Sequence, residues 1–356
     1  MRYLFIVQGE GRGHMTQAMT LEGLLRKRGH EVVRILVGRS QLREIPDFFL
    51  KNLHAPVTVY DSVNFMPSVD NRKPDMVKSI LMNVMGFGKY LPSLRKIYES
   101  IVSSKADVVV NFYELLSGLT YLFYRIDVPM VCIGHQYLLL HKDFGLPRRK
   151  YPDSVGLNML TRLTSLRASK RIALSFREMP PDRRQGIVVV PPLLRPEVLA
   201  ISPVKGDYIH GYMLNHGFAK DVKQWHDGHP ETPLHFFWDN KDAEKVTRVD
   251  NTLTFHTLSQ EEFLNYMKGC YAYASTAGFE SICEAMWMNK PVLMVPSHIE
   301  QEINAFDAQR SGIGIASDRF DLSLLLGFAG SYNPDPHFRA WALSAPEYII
   351  RELENL

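Results

Sequence analysis

The sequence predicts an α/β protein built from two parallel-sheet domains in series. Three observations carry that prediction. Short apolar, β-branched runs alternate with longer amphipathic stretches, the alternation occurs twice, and a proline-rich segment separates the two series. The chain has 356 residues, more than one core comfortably organises. Its composition, 46% hydrophobic and 22% charged, is that of a globular protein and excludes collagen-like, disordered and coiled-coil classes.

The first series opens with YLFIVQG (3–9), an uninterrupted apolar run that reads as a buried strand. From His14 to Arg28 the apolar residues Met15, Ala18, Met19, Leu21, Leu24 and Leu25 keep helical spacing, and Gly29 ends the helix. EVVRILVG (31–38), ADVVVNF (106–112), VPMVCIG (128–134), IALSF (172–176) and GIVVV (186–190) read as further strands of one sheet. PPLLRPEVLAISPVKG (191–206) holds four prolines and reads as a linker. The second series follows: DYIHGYML (207–214), a turn at NHG, the helix FAKDVKQW, then LHFFW (234–238), TLTFH (252–256), YAYAS (271–275) and PVLMVP (291–296). The pattern predicts two Rossmann-like domains facing across a cleft, with ligands outside the carboxyl ends of the strands.

No apolar run reaches the roughly 18–20 residues that span a bilayer, and the start, MRYLFIVQGEGRGH, lacks the plan of a secretory signal. Cys132, Cys270 and Cys283 have no metal-type spacing and read as buried thiols of a reducing compartment. The net charge of +3 hides an asymmetry: residues 1–200 hold 29 basic against 17 acidic residues, and 201–356 hold 12 against 21. The basic excess peaks between Lys142 and Arg184, where it alternates with apolar residues as on an amphipathic membrane-facing or anion-facing stretch. No recognition motif accompanies it, so nucleic acid is not expected as a partner.

Two motifs carry chemistry. Gly9-Glu10-Gly11-Arg12-Gly13-His14 follows the first strand, where glycines let the backbone turn above a helix start. It is not a dinucleotide fingerprint, because His14 takes the third glycine position and the second strand ends in Gly38-Arg39 rather than an acid. Arg39 and Ser40 keep an NADP dehydrogenase in view. The positive helix end should hold His14 neutral and available as a base. The second motif spans 275–305, STAGFESICEAMWMNKPVLMVPSHIEQEINA. Thr276, Ala277 and Gly278 turn from a strand into a helix, offering amides and the Thr276 and Ser281 hydroxyls to a diphosphate. Glu284 suits a ribose diol, and Glu300, Gln301 and Asn304 suit sugar hydroxyls.

That second stretch resembles the donor signature of nucleotide-sugar glycosyltransferases of the GT-B fold. Gly278, Ser281, Glu284, Ala285, Pro291, Pro296, Glu300, Gln301, Asn304 and Ala305 stand in register with it. The chain departs from the pattern at Thr276, where plant-type members place histidine, and at Asn289-Lys290, where glycine is usual. GRGHMTQAMTLEGLLRKRGHEV is similar to the glycine-rich start of the MurG family, and Asn111-Phe112-Tyr113-Glu114-Leu115-Leu116-Ser117 is similar to a D-F-E-P-L-S segment of a MurG-like group. Residues 45–105 resemble nothing placed.

The resemblance implies a GT-B fold with an acceptor-side domain over 1–195, a nucleotide-sugar-binding domain over 207–335, and a C-terminal helix at 336–356 crossing back to the first. It implies an inverting hexosyl transfer from a nucleotide sugar, UDP-linked most often, with His14 as base. An acidic residue orients such a histidine, and Glu114 is the candidate because Asn111 has no charge. Gly11, Arg12 and Gly13 form the acceptor-side loop. Thr276, Ala277 and Gly278 hold the diphosphate, Asn215, His216 and Gly217 add contacts, and Phe255 to Leu258 flank the base. No D-x-D motif occurs, so no metal and no resident cofactor are expected. The acceptor is expected to be anionic or membrane-presented, met by Arg148, Arg149, Lys150, Arg167, Lys170 and Arg171, in a cytoplasmic protein peripheral to the inner face of the membrane. A nucleotide-sugar 2-epimerase or hydrolase, and a non-catalytic nucleotide-sugar-binding protein, remain the alternatives.

Overall fold

The computed structural model describes residues 1–40, 44–63, 86–146, 151–240 and 243–356. They divide into two compact units. The first runs to Arg195 and takes in Ala340–Leu356; the second covers Pro196–Arg339.

The first unit contains β1 (Arg2–Gln8), α1 (Arg12–Lys27), β2 (Glu31–Arg39), α2 (Asp47–Asn52), β3 (Val57–Asp61), α3 (Leu91–Ser104), β4 (Val108–Phe112), α4 (Leu115–Phe123), β5 (Met130–Ile133), α5 (Tyr151–Thr164), β6 (Lys170–Leu174) and β7 (Ile187–Val190). Its strands are all parallel, in the order β3-β2-β1-β4-β5-β6-β7. Tyr3 to Val7 are wholly buried, which explains an apolar run with no alternation: a parallel strand covered on both faces has no polar side. α1 stops where the sequence places its break. Gly29, at φ 78°, donates to Arg26 O and His30 donates to Leu25 O, a left-handed cap that satisfies the last carbonyls. Chain order reverses between β1 and β4, so the ligand crevice of this sheet lies beyond those two strand ends.

The second unit contains α6 (Pro196–Leu199), β8 (Ile209–Met213), α7 (Ala219–Asp227), β9 (Leu234–Trp238), β10 (Val246–Arg248), β11 (Leu253–Thr257), α8 (Gln260–Gly269), β12 (Ala272–Ser275), α9 (Phe279–Trp287), β13 (Val292–Met294), α10 (Ile299–Arg310), β14 (Gly314–Ala316) and α11 (Leu322–Ala329). The strand order is β10-β11-β9-β8-β12-β13-β14, parallel except for β10, which pairs antiparallel with β11 at the edge. Its crevice lies beyond β8 and β12. The proline-rich segment is not an open linker. Leu193, Leu194 and Val198 are buried, and Pro196 starts the short helix α6, since a missing N–H costs nothing at a first helical position.

α12 (Phe338–Leu343) and α13 (Ala345–Glu354) end the chain, and residues from Ala340 onward pack with the first unit. Trp341 Nε1 donates to Ser175 O at 3.0 Å, and Lys170 Nζ donates to Glu352 O at 2.8 Å and reaches its carboxylate at 3.1 Å. His30 meets Glu354 at 2.8 Å. Pro346 does not break this run, because it lies in the first turn of α13. The three cysteines are free and buried.

Candidate functional site

In the first unit, β1 hands over to α1 through the glycine loop. Gly11 is the N-cap and stands in open space, and the Arg12 guanidinium lies 6.0 Å over the Phe48 ring. Gly13 and His14 are the second and third residues of the helix. His14 is 7% exposed. Gln17 Oε1 is 3.4 Å from Nδ1, Gln136 Nε2 is 3.3 Å from Nε2, and the Tyr113 ring stacks at 5.7 Å. His14 is held down to about 4, and the cause is burial, opposed by the Gln17 bond. Burial keeps this imidazole neutral, the same direction in which the helix end was expected to act.

Glu114 follows Tyr113, which is left-handed at φ 59°, and caps α4. Its Oε1 accepts from Ser62 Oγ at 2.6 Å and from the Leu116 amide at 3.1 Å. Asn111 fixes the turn. It accepts from the Glu114 amide at 2.9 Å and donates to Glu114 O at 3.2 Å and Thr164 O at 2.8 Å. A Cβ on Gly38 would stand 2.6 Å from Glu114 Oε2, so only glycine leaves room for this carboxyl. Burial pushes Glu114 up to about 7 against the two hydrogen bonds. The expected Glu114–His14 pairing is not formed: the capping carboxylate turns back to its own helix start, and both ring nitrogens of His14 meet amides instead.

In the second unit the two crevice loops are tied together. Thr276 Oγ1 accepts from the Leu214 amide at 3.2 Å, and the Thr276 amide donates to Tyr212 O at 3.2 Å. Thr276 is fully buried, so its hydroxyl braces the loop rather than facing a phosphate. Ala277 is left-handed at φ 58°, and its amide donates to Ser275 Oγ at 3.1 Å. Gly278 is the N-cap of α9 and brings no side chain to cover the helix start. Ser281 Oγ donates to Gly278 O at 3.1 Å, and Glu284 lies two turns along at 4% exposure.

Asn304 differs from its expected role at a sugar. Its Nδ2 donates to Ala277 O at 3.1 Å, which locks the left-handed turn. Gln301 Oε1 accepts from the Ser297 amide at 2.8 Å and Ser297 Oγ at 2.7 Å, so its oxygen is spent inside the fold and its NH2 is the group left to a ligand. Glu300 is half-buried in the first turn of α10, Asn215 is half-buried and His216 is exposed beside β8. Phe255 and His256 do not form a loop; they are buried in β11.

The model of glycosyl transferase family 1 matches residues 1–328. The chain belongs to that family. Its fold is GT-B, with two Rossmann-like domains, and it is a glycosyltransferase of that type. The calicheamicin glycosyltransferase CalG4 is 17% identical over 100% of this chain and 98% of its own, with a TM-score of 0.62. UGT71G1 of Medicago truncatula, solved with UDP-glucose, is 15% identical over 97% and 93%, with a TM-score of 0.61. UGT89C1 of Arabidopsis thaliana, solved with UDP, is 14% identical over 98% and 94%, with a TM-score of 0.60. No curated protein matches the sequence significantly.

Within this family frame, part of the expected basic cluster is misplaced. Lys170 and Arg171 open β6 at the amino end of the sheet, opposite its ligand loops. Lys170 is taken up by Glu352 and Asn355, and Arg171 by Ser165 and Gln185 O. Arg167 is exposed, and Arg148, Arg149 and Lys150 lie outside the described residues. Among the described residues no group of three His, Cys, Asp or Glu is placed to hold a metal, and no helix is long and apolar enough to cross a membrane. Sequence reasoning missed Gln17, Gln136, Tyr113 and Ser62. Gln17 was open to it, one turn beyond His14 on the same helix face; the other three arrive from distant segments.

Proposed function

We propose that the chain transfers a hexosyl unit from a nucleotide-diphosphate sugar, UDP being the favoured carrier, to an acceptor hydroxyl with inversion. The second unit is the donor side. The amides at the start of α9, with Ser281, Glu284, Glu300 and the Gln301 amide, bind the diphosphate, ribose and sugar. Solved relatives of this fold hold UDP or UDP-glucose, which supports that choice of donor. The first unit, with Gly11, Arg12 and Gly13, is the acceptor side. His14 Nε2 takes the proton of the acceptor hydroxyl, its oxygen attacks the anomeric carbon, and the bond to the diphosphate breaks with UDP as leaving group. The helix dipole and hydrogen bonds receive the charge that develops on UDP. No resident cofactor is needed. The acceptor is anionic or membrane-borne, in keeping with the basic first 200 residues, and the setting is the cytoplasmic face of a membrane.

The observation that carries the reading is a neutral, buried histidine at the crevice of one sheet and a helix start with no capping side chain at the crevice of the other. Two substitutions test it together. His14→Ala should cut kcat about 10²–10⁴-fold with UDP affinity unchanged. Glu284→Ala should weaken UDP about 10–150-fold in calorimetry, as loss of a charge-assisted hydrogen bond requires. Normal turnover in His14→Ala would remove the base and favour a non-catalytic binding protein. Turnover of donor alone, without acceptor, would favour the epimerase or hydrolase.

A further inference from the structure

Two glutamines meet the His14 ring. Gln17 lies one turn along α1, on the same face, with Oε1 3.4 Å from Nδ1. Gln136, in the 3-10 segment after β5, brings Nε2 to 3.3 Å from the ring's Nε2. An amide nitrogen only donates and an amide oxygen only accepts. The ring Nε2, facing a donor, is therefore the unprotonated nitrogen. Nδ1, facing an acceptor, carries the hydrogen. The two contacts specify the same tautomer from opposite sides, and Tyr113, stacked at 21°, limits rotation of the ring. Among the described residues, the ionisable groups nearest it on the surrounding elements are Glu10 ahead of α1, Arg12 at its start, Tyr113 and Glu114 after β4, and His135 beside Gln136. None makes a hydrogen bond or ion pair with His14.

We propose that Gln17 is a positioning residue that fixes His14 in its Nδ1–H tautomer and so presents the Nε2 lone pair to the acceptor hydroxyl. The inference deepens the base reading above and rests on it. A carboxylate in this place both orients the ring and raises its proton affinity. An amide orients it and adds no charge. The base then stays uncharged well below neutral pH, and Gln136 holds its lone pair until a hydroxyl displaces the amide.

The test uses the full chain with 15N-labelled histidine, the His14 signals being assigned by their loss in His14→Gln. Gln17→Glu should raise the proton affinity of His14 about 10–1,000-fold, and the acid limb of kcat/KM should move with it. Gln17→Met keeps the volume and removes the acceptor. It should shift the tautomer population toward Nε2–H, Gln136 being then the remaining contact that favours Nδ1–H, and lower kcat about 10–100-fold at unchanged donor KM, as misplacement of a reacting group does. Circular dichroism checks that both variants fold, and Gln17→Met keeps the test alive if a buried glutamate does not. An unchanged tautomer population in folded Gln17→Met, or an unchanged titration in folded Gln17→Glu, overturns the proposal. A titration that moves while the acid limb stays fixed upholds the hold of Gln17 on the ring and overturns the base reading instead.

Discussion

The loop after β4 and the loop after β12 occupy equivalent places, each next to the first strand of its sheet where strand order reverses. Each passes through one left-handed residue, Tyr113 at φ 59° and Ala277 at φ 58°, before a helix. In the first unit the turn is filled. Tyr113 packs on His14 and bonds Thr161 Oγ1 at 2.8 Å, and Glu114 is a buried, ionisable cap. In the second unit the turn is emptied to Ser275, Thr276, Ala277 and Gly278, and a distant Asn304 holds its backbone. One backbone device therefore serves two ends. Filled, it places side chains that can move protons. Emptied, it leaves a helix start open to an anion.

Four measurements break or sharpen that contrast. The largest effect belongs to Tyr113→Gly. Relief of the left-handed strain, about 1–2 kcal/mol, is outweighed by loss of a buried aromatic, roughly 3–5 kcal/mol, so thermal unfolding should show net destabilisation. A stabilised Tyr113→Gly would mean that the ring packs for nothing.

Next comes pH. Burial raises the folded value of Glu114 from 4.5 to about 7. Below 4.5 both states hold the proton. Between 4.5 and 7 the unfolded chain loses it while the folded chain keeps it, so stability contributed by this group falls as pH rises, and the loss is complete above 7. Glu114→Gln removes that dependence. Its advantage over the parent should grow by an amount on the order of 3 kcal/mol between pH 4.5 and 7.5 in urea titrations. Parallel curves would show a carboxyl that is ionised in the fold. The loop after β12 has no titratable residue and should add nothing in this window.

A smaller effect, of opposite sign to Tyr113→Gly, is expected at the matching position. Ala277→Gly loses one methyl and gains relief of strain, so the melting point should rise by an amount equivalent to about 1 kcal/mol. A fall would mean that the Ala277 methyl is packed more tightly than the turn is strained. The smallest effect is none at all. If the proposed diphosphate site at the start of α9 holds, and with no D-x-D in the chain, EDTA should leave transfer unchanged. Loss on chelation, restored by Mg²⁺, would make the emptied turn insufficient on its own.

Much of this contrast was legible in the sequence, and the reason is local. Apolar runs such as Tyr3–Val7 declare a doubly covered strand, and Gly278 followed by a helical pattern declares a helix start. Ala285, Pro291 and Ala305 fall in register with a known donor pattern because that pattern is written within one stretch of chain. β10 was not legible: Val246–Arg248 is short and exposed at an edge, so no periodicity marks it. The partners of the site residues were not legible either. Asn304 reaches Ala277, and Gln136 reaches His14 across 122 positions, and nothing in the local spacing announces either bond. Glu114 shows the converse. A carboxyl one residue before a helix is a cap by local rule, and the local rule prevailed over its assignment to His14.

The first unit is discontinuous in the chain, and this gives its assembly a timetable. Residues 340–356 leave the ribosome after the whole of Pro196–Arg339. At ordinary synthesis speed, that is a wait of roughly 7–30 s. During it the nascent first unit lacks α13. His30 and Lys170 wait without Glu354 and Glu352, and Ser175 O waits for Trp341. The second unit, whose described residues are continuous in sequence, is complete before the first. Its emergence therefore precedes the closing of the unit that began first, and a nascent chain arrested before Ala340 exposes the surface that those last two helices cover.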